Sequence, residues 1–255
     1  MKRVALAMTA LVLAGGCGGQ SADQRMKQWL SPTPTVVQVG RLRSEQADER
    51  REAAQAVAAD RVARQDPSVV KIFCLLAQSD EDPMVRAAAA RGLADMESEE
   101  VVPALRHAAA SDGSPYVRGD AVASLGRQAK PECVPPLVRA VQGDSSAEVR
   151  TAAAAALCRF KDTAAAKALV AALDDFSLGV ALKAWESLRY MTGQNLPRQV
   201  QPWNDFLAST REPFAAYGHP PPIPRGENQR PRWTKGPMDF IKGLFAKDVR
   251  EAELE

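Results

Sequence analysis

The side chains that do most enzyme chemistry are scarce here. The 255 residues hold two histidines and four cysteines. Zinc sites draw on clustered Cys and His, yet none of Cys17, Cys74, Cys133 and Cys158 lies in CxxC spacing. His107 is followed by Ala108 and His219 by Pro220, so no paired His-Glu ligand set exists. No Gly-rich phosphate loop, G-x-S-x-G or H-E-x-x-H occurs. Cys74 lies within Ile72-Phe73-Cys74-Leu75-Leu76 and reads as a small buried hydrophobe. A Cys133–Cys158 disulfide is open to a chain that leaves the cytosol. What does recur is Asp followed six residues later by Arg, in Asp80/Arg86, Asp112/Arg118 and Asp144/Arg150. Ionised partners of this kind make strong, directional hydrogen bonds, and that chemistry positions elements. We read the pairs as structural, not as catalytic carboxylates. The sequence predicts no catalytic residue, no metal and no cofactor.

Charge excludes a further class. Lys and Arg number 33 against 31 Asp and Glu, a formal charge of +2. Removing Lys2 and Arg3 leaves 31 against 31. A balanced chain lacks the basic footprint of a nucleic-acid binder. Apolar residues at 45% and charged residues at 25% are globular values. Aromatics at 5% argue against a sandwich core or a large aromatic pocket.

The Asp/Arg pairs sit on a period of 32. Asp80, Asp112 and Asp144 share it with Val85, Val117 and Val149 and with Leu93, Leu125 and Leu157. A fourth copy, Asp175, Val180 and Leu188, is offset by 31 and has Ala181 in place of the Arg. Phe73, Leu105, Leu137 and Leu169 form another column, and Val70, Val102, Val134 and Ala166 a third. Within each unit Val85, Ala89 and Leu93, and their counterparts, are spaced i, i+4, i+8, one face of a helix and not a strand. A second helix starts near Pro67, Glu99, Pro131 and Thr163, where Pro is tolerated in a first turn. Alanine runs add helix propensity and let helices approach closely. One helical pair cannot bury its own apolar face, so neighbours must stack.

These residues, Asp80, Pro83, Val85, Arg86, Ala89 and Leu93 with their counterparts, resemble the HEAT-like repeat of the phycobilisome-lyase type, D-x-x-P-x-V-R-x-x-A-x-x-x-L. The resemblance implies an all-α fold, an α/α superhelical solenoid of about five HEAT-like repeats over residues 43–208. It also implies that the Asp and Arg side chains form a hydrogen-bonded ladder between adjacent repeats, with Glu45/Arg51 as a degenerate first rung. Enzymes occur on this fold, so a phycobilin-lyase-like or deoxyhypusine-hydroxylase-like oxidoreductase is the alternative reading. The latter holds two irons with His-Glu pairs that this chain lacks.

Both ends of the array depart from the repeat. The first unit is highly charged (Asp48, Glu49, Arg50, Arg51, Glu52), as an N-terminal cap requires. In the last unit Trp185, Tyr190, Met191, Trp203 and Phe206 are expected to close the open core. Ahead of the array, Lys2 and Arg3 precede the uncharged run Val4 to Ala14. Eleven helical residues rise about 16 Å, short of a ~30 Å hydrocarbon core, so the run reads as a secretory signal. Ala14-Gly15-Gly16-Cys17 resembles a bacterial lipobox, with Leu13 four before the Cys where that motif has Leu three before it. The resemblance implies lipidation of Cys17, a lipoprotein-type signal peptide at 1–16 and an exported chain anchored to a bacterial cell membrane. Residues 17–42 then form a flexible tether. Residues 209–238 form a Pro-rich basic linker. Residues 239–255 form an amphipathic helix with Phe240, Ile241, Leu244, Phe245 and Val249 on one face.

In a HEAT-like array the second helices line the concave side. Their non-core positions give a candidate protein-binding face of Lys71, Gln78, Glu100, His107, Glu132, Arg139, Gln142 and Lys167. The stripe mixes both charges, which suits a protein or peptide and not nucleic acid. The expectation is a monomeric, membrane-anchored, non-catalytic protein-binding scaffold of the cell envelope. The other alternative is a structural component whose basic tail contacts cell-wall polymers.

Overall fold

The computed structural model describes residues 35–220. The signal peptide, Cys17, most of the tether, most of the Pro-rich linker and the C-terminal amphipathic segment lie outside the described residues.

Eleven α-helices and no strand occur among the described residues. They are α1 (Thr35–Arg41), α2 (Ala47–Ala59), α3 (Pro67–Ser79), α4 (Pro83–Gly92), α5 (Val101–Ser111), α6 (Pro115–Gln128), α7 (Val134–Gly143), α8 (Ala147–Leu157), α9 (Thr163–Ala171), α10 (Leu178–Thr192) and α11 (Val200–Ser209). From α2 on they alternate as first and second helices of five units, and each helix packs on its counterpart in the next unit. The molecule is an α/α solenoid.

Local sequence sets the helix starts. Asp66, Asp82, Ser146 and Asp162 each accept a backbone N–H of the first turn, and Pro67, Pro83 and Pro115 occupy positions that need no donor. Leu93, Leu125, Leu157 and Leu188 are fully buried, as are Phe73, Leu105, Leu137 and Leu169. Two continuous apolar columns therefore run the length of the array. The tight hairpin is formed by the second helix of one unit and the first helix of the next. Turns of three residues, 80–82, 112–114 and 144–146, join them. Short 3₁₀ turns at Leu93–Asp95, Pro131–Cys133 and Ala172–Asp174 interrupt the alternation. Helices α5 and α7 start at Val101 and Val134, past Glu99 and Pro131.

Three expectations are corrected. The tether does not reach residue 42: Thr35–Arg41 is helical and Leu42 is buried under α2. The Thr35 hydroxyl holds this helix to the array by donating to Asp60. The Pro-rich linker does not begin at 209. Phe214 and Tyr217 pack against the core, and the Gly218 N–H donates to the Tyr190 carbonyl at 2.9 Å. The first rung is not Glu45/Arg51. Arg50 is the residue turned inward, and Arg51 pairs with Asp48 on its own helix. Counting six back from Arg50 reaches Ser44, not Glu45.

The closing aromatics divide. Trp203 and Met191 are fully buried. The Trp203 and Trp185 indoles donate to the Pro197 and Leu196 carbonyls at 2.8 and 2.7 Å. Tyr190 stays 39% exposed and meets Tyr217 edge to face.

Candidate binding face and the ladder behind it

The turn between hairpin helices begins with Asp in four units, and each carboxylate has two tasks. One oxygen of Asp80, Asp112, Asp144 and Asp175 accepts the backbone N–H two residues on, at 2.9, 2.8, 2.8 and 2.8 Å. Both oxygens also accept from the Arg of the preceding unit: Arg50 to Asp80, Arg86 to Asp112, Arg118 to Asp144 and Arg150 to Asp175, all between 2.7 and 3.0 Å. The remaining guanidinium nitrogen donates to carbonyls of its own turn, for Arg118 those of Asp112 and Gly113. The Arg–Asp spacing of six thus bonds side chain to backbone within a unit. The side-chain pair runs to the next unit.

The ladder ends are reduced to what each needs. Ser44 stands where the first Asp would be, has no preceding Arg to meet, and still accepts the Gln46 N–H. Ala181 stands where a fifth Arg would be. Sequence reading missed Arg50, and the signal was its spacing of six from a turn-capping Ser.

The electrostatics match a structural role. Arg86, Arg118 and Arg150 are raised above the ordinary value, first by hydrogen bonding to their Asp partners. Burial pushes the Asp112 and Asp144 carboxyls up, but the Arg hydrogen bond, the turn N–H and two nearby guanidinium charges outweigh it and hold both low. The Arg150 hydrogen bond holds Asp175 low. These carboxylates stay ionised and saturated, the opposite of a general acid poised near neutrality.

Burial disfavours the thiolate at all three cysteines among the described residues. Burial pushes Cys74 up to about 11, with Glu100 adding to the rise. Burial also raises Cys133 and Cys158. The structure leaves all three as free thiols, so the Cys133–Cys158 pairing is not formed. No group of three or more His, Cys, Asp or Glu among the described residues could hold a metal. No helix among them is long and apolar enough to cross a membrane.

The candidate binding face lies on α3, α5, α7 and α9. Lys71, Gln78, Glu100, His107, Glu132, Arg139, Gln142 and Lys167 are all exposed. None of these side chains is engaged in a hydrogen bond or ion pair among the described residues. Gln78 and His107 border one open depression of about 280 Å³ between α3 and α5, with Ser111 on its rim and Asp80 and Arg86 at its floor. The other six lie along the same helices outside it. Pro103 and Pro135 stand exposed between Lys71 and Lys167 in the row, and Leu75 is 64% exposed beside them. Donors, acceptors and apolar surface thus alternate along a row whose spacing the buried ladder holds.

A family model for HEAT repeats matches residues 39–126 and 102–189. No curated protein matches the chain. Among solved structures, a designed armadillo repeat protein is 20% identical, covering 69% of this chain and 92% of its own, with a TM-score of 0.47. The CpcE–CpcF complex of phycocyanin lyase from Nostoc sp. PCC7120 is 17% identical, covering 71% and 80%, with a TM-score of 0.42. An engineered protein is 22% identical, covering 61% and 78%, with a TM-score of 0.44. None of them bears on what this chain binds.

Proposed function

This chain belongs to the HEAT repeat family, and we propose that it is a non-catalytic scaffold that holds a protein or peptide along the exposed row of its second helices. The observation that carries the reading is the contrast between two sets of polar side chains. The ladder Arg and Asp groups are saturated and mostly buried. The eight residues of the row are exposed and uncommitted. A rigid register with free donors and acceptors favours binding, because less side-chain and backbone order must be created on association. Mixed charge along the row favours a partner that is itself mixed, and nucleic acid is not such a partner.

The reading includes location. Cys17 carries a lipid, the chain is exported and anchored to a bacterial cell membrane, and the array works as a monomer in the envelope. The lipobox-like sequence before Cys17 supports this part, and it is independent of the binding row.

The test has two arms. Labelling with a fatty-acid analogue is expected to mark the wild type and not Cys17→Ser; a labelled variant would remove the anchor from the reading. Cross-linking in the envelope is expected to capture a partner with wild type and lose it with Arg139→Glu/Lys167→Glu. The variant should melt as wild type does, since neither side chain has a partner to lose. Capture unchanged by the double reversal would place the binding elsewhere.

A further inference from the structure

The far end of the solenoid carries an exposed apolar edge beside an open cleft of mixed lining. The face each first helix turns to the next can be located from two observations. A Cβ added at Gly126 of α6 would meet Ala156 of α8 at 2.6 Å, and the Ser187 hydroxyl of α10 donates to the Ala154 carbonyl of α8. That face is Ala87, Ala90 and Ala94 in α4 and its following turn. It becomes Gly119, Val122 and Gly126 in α6, then Thr151, Ala154 and Cys158 in α8 and the residue after it. From α4 to α8 no side chain on it is larger than valine. In α10 the same positions are Leu182, Trp185 and Arg189.

Half of this enlarged face is capped. Asn195 accepts from Arg189 and the Leu196 carbonyl accepts from Trp185. The other half is bare: Leu178 is 62% and Leu182 36% exposed, and Phe176 beside them is wholly exposed. Phe176 and Leu178, with Leu173, Ala181 and Asp175, border a cleft of about 520 Å³ whose far wall is Arg198 and Gln199, and Leu182 lies outside it one turn along α10. A terminal repeat that ends an array in water is expected to turn a polar face outward, and this one is apolar.

We propose that residues 239–250 of the same chain cover this cleft, packing Phe240, Ile241, Leu244 and Phe245 against Phe176, Leu178 and Leu182. Three facts select this occupant. In the alternation of first and second helices, the element after α11 falls at a first-helix position, next to α10. The described chain leaves from the same end of the array, at Pro220, two residues beyond the Gly218 bond to Tyr190 near the C-terminus of α10. The distance is short. Helix α10 is about 22 Å long, whereas the 18 residues 221–238 reach about 56 Å even as stiff polyproline chain. Large side chains meet large side chains there, which replaces the close small-residue packing of the earlier units. Ala181 offers no Arg, so a segment beside α10 has no ladder pair to complete.

Hydrogen exchange on the full chain tests this, comparing wild type with Leu244→Asp/Phe245→Asp. The substitutions lie outside the array, so its melting serves as the control for folding. The first two turns of α10 are expected to exchange ~10-fold faster in the variant, with α6 unchanged. Equal exchange in the two proteins would overturn the proposal. So would protection that disappears on dilution together with a halving of mass, which would assign the cleft to a second copy. Protection that arises only with lipid vesicles would assign the segment to a membrane surface and equally overturn it.

Discussion

Arg118 and Asp144 meet through two hydrogen bonds of 2.8 Å, side by side, with only 13% and 7% of their side chains exposed. The guanidinium also donates to its own turn, and the carboxylate also accepts from its own turn. One pair therefore ties two turns and two repeats together. Truncating one partner leaves a desolvated charge behind. Arg118→Ala is expected to lower stability by about 2–3 kcal/mol, somewhat below the ~3–5 kcal/mol of a fully buried pair. Arg118→Lys should recover less than half, since an ammonium cannot reproduce the planar fork. Urea unfolding followed by circular dichroism measures both; a lysine variant as stable as wild type would show that geometry is immaterial.

The same pairs give the array an acid limit. Asp112, Asp144 and Asp175 are held below the ordinary Asp value of about 3.9. Groups lowered in the folded state bind fewer protons there than in the unfolded chain. Their contribution is complete above the unfolded value and is lost as pH falls through the folded values. Stability should be flat through neutral pH and fall steeply below about pH 4. In Arg118→Ala the acid slope should be shallower, which melting across pH 2–6 would read.

Two helix ends adopt the left-handed conformation with different residues. Ala129 closes α6 at φ 52° and Gly193 closes α10 at φ 68°. A Cβ costs about 1–2 kcal/mol in that region, so Ala129→Gly should stabilise the array by about 1 kcal/mol. Gly193→Ala should destabilise it by more, because the added methyl also collides with Ala216. Thermal melting of the two variants should move in opposite directions.

Close approach between first helices is set by Gly126. An added methyl would lie 2.6 Å from the Ala156 methyl and 3.0 Å from its Cα. Gly126→Ala is expected to cost about 1–3 kcal/mol, the range of overpacked cores. An unchanged midpoint would mean that α6 and α8 can part without loss.

The thiols should rank by access. Cys74 is 7% exposed with its thiol pushed to about 11, and Cys133 is fully buried. Cys158 is partly exposed. Alkylation at pH 8 should modify Cys158 first, with Cys74 and Cys133 reacting only as fast as the array opens. Early labelling of Cys74 would contradict the packing of α3.

The order of elements was written in the sequence wherever a residue's role depends on its immediate neighbours. The 32-residue period, the i, i+4, i+8 apolar face and the turn-capping Asp each act within one unit, so residues such as Val85, Leu93 and Asp112 announced the solenoid and its core. The exposure of Lys71, His107 and Arg139 followed from the same helical spacing. Tertiary structure decided what depends on the next unit. It turned Arg50 inward and left Arg51 to pair with Asp48 on its own helix, directed Arg118 to the Asp of the following repeat, and folded Thr35–Arg41 onto α2. It also brought Gly218 back to Tyr190. The pairs Arg50–Asp80, Arg118–Asp144, Thr35–Asp60 and Gly218–Tyr190 each join residues 25 or more positions apart. Short-range pattern carries no term for such a distance, because its pairing energy exists only after the helices have stacked.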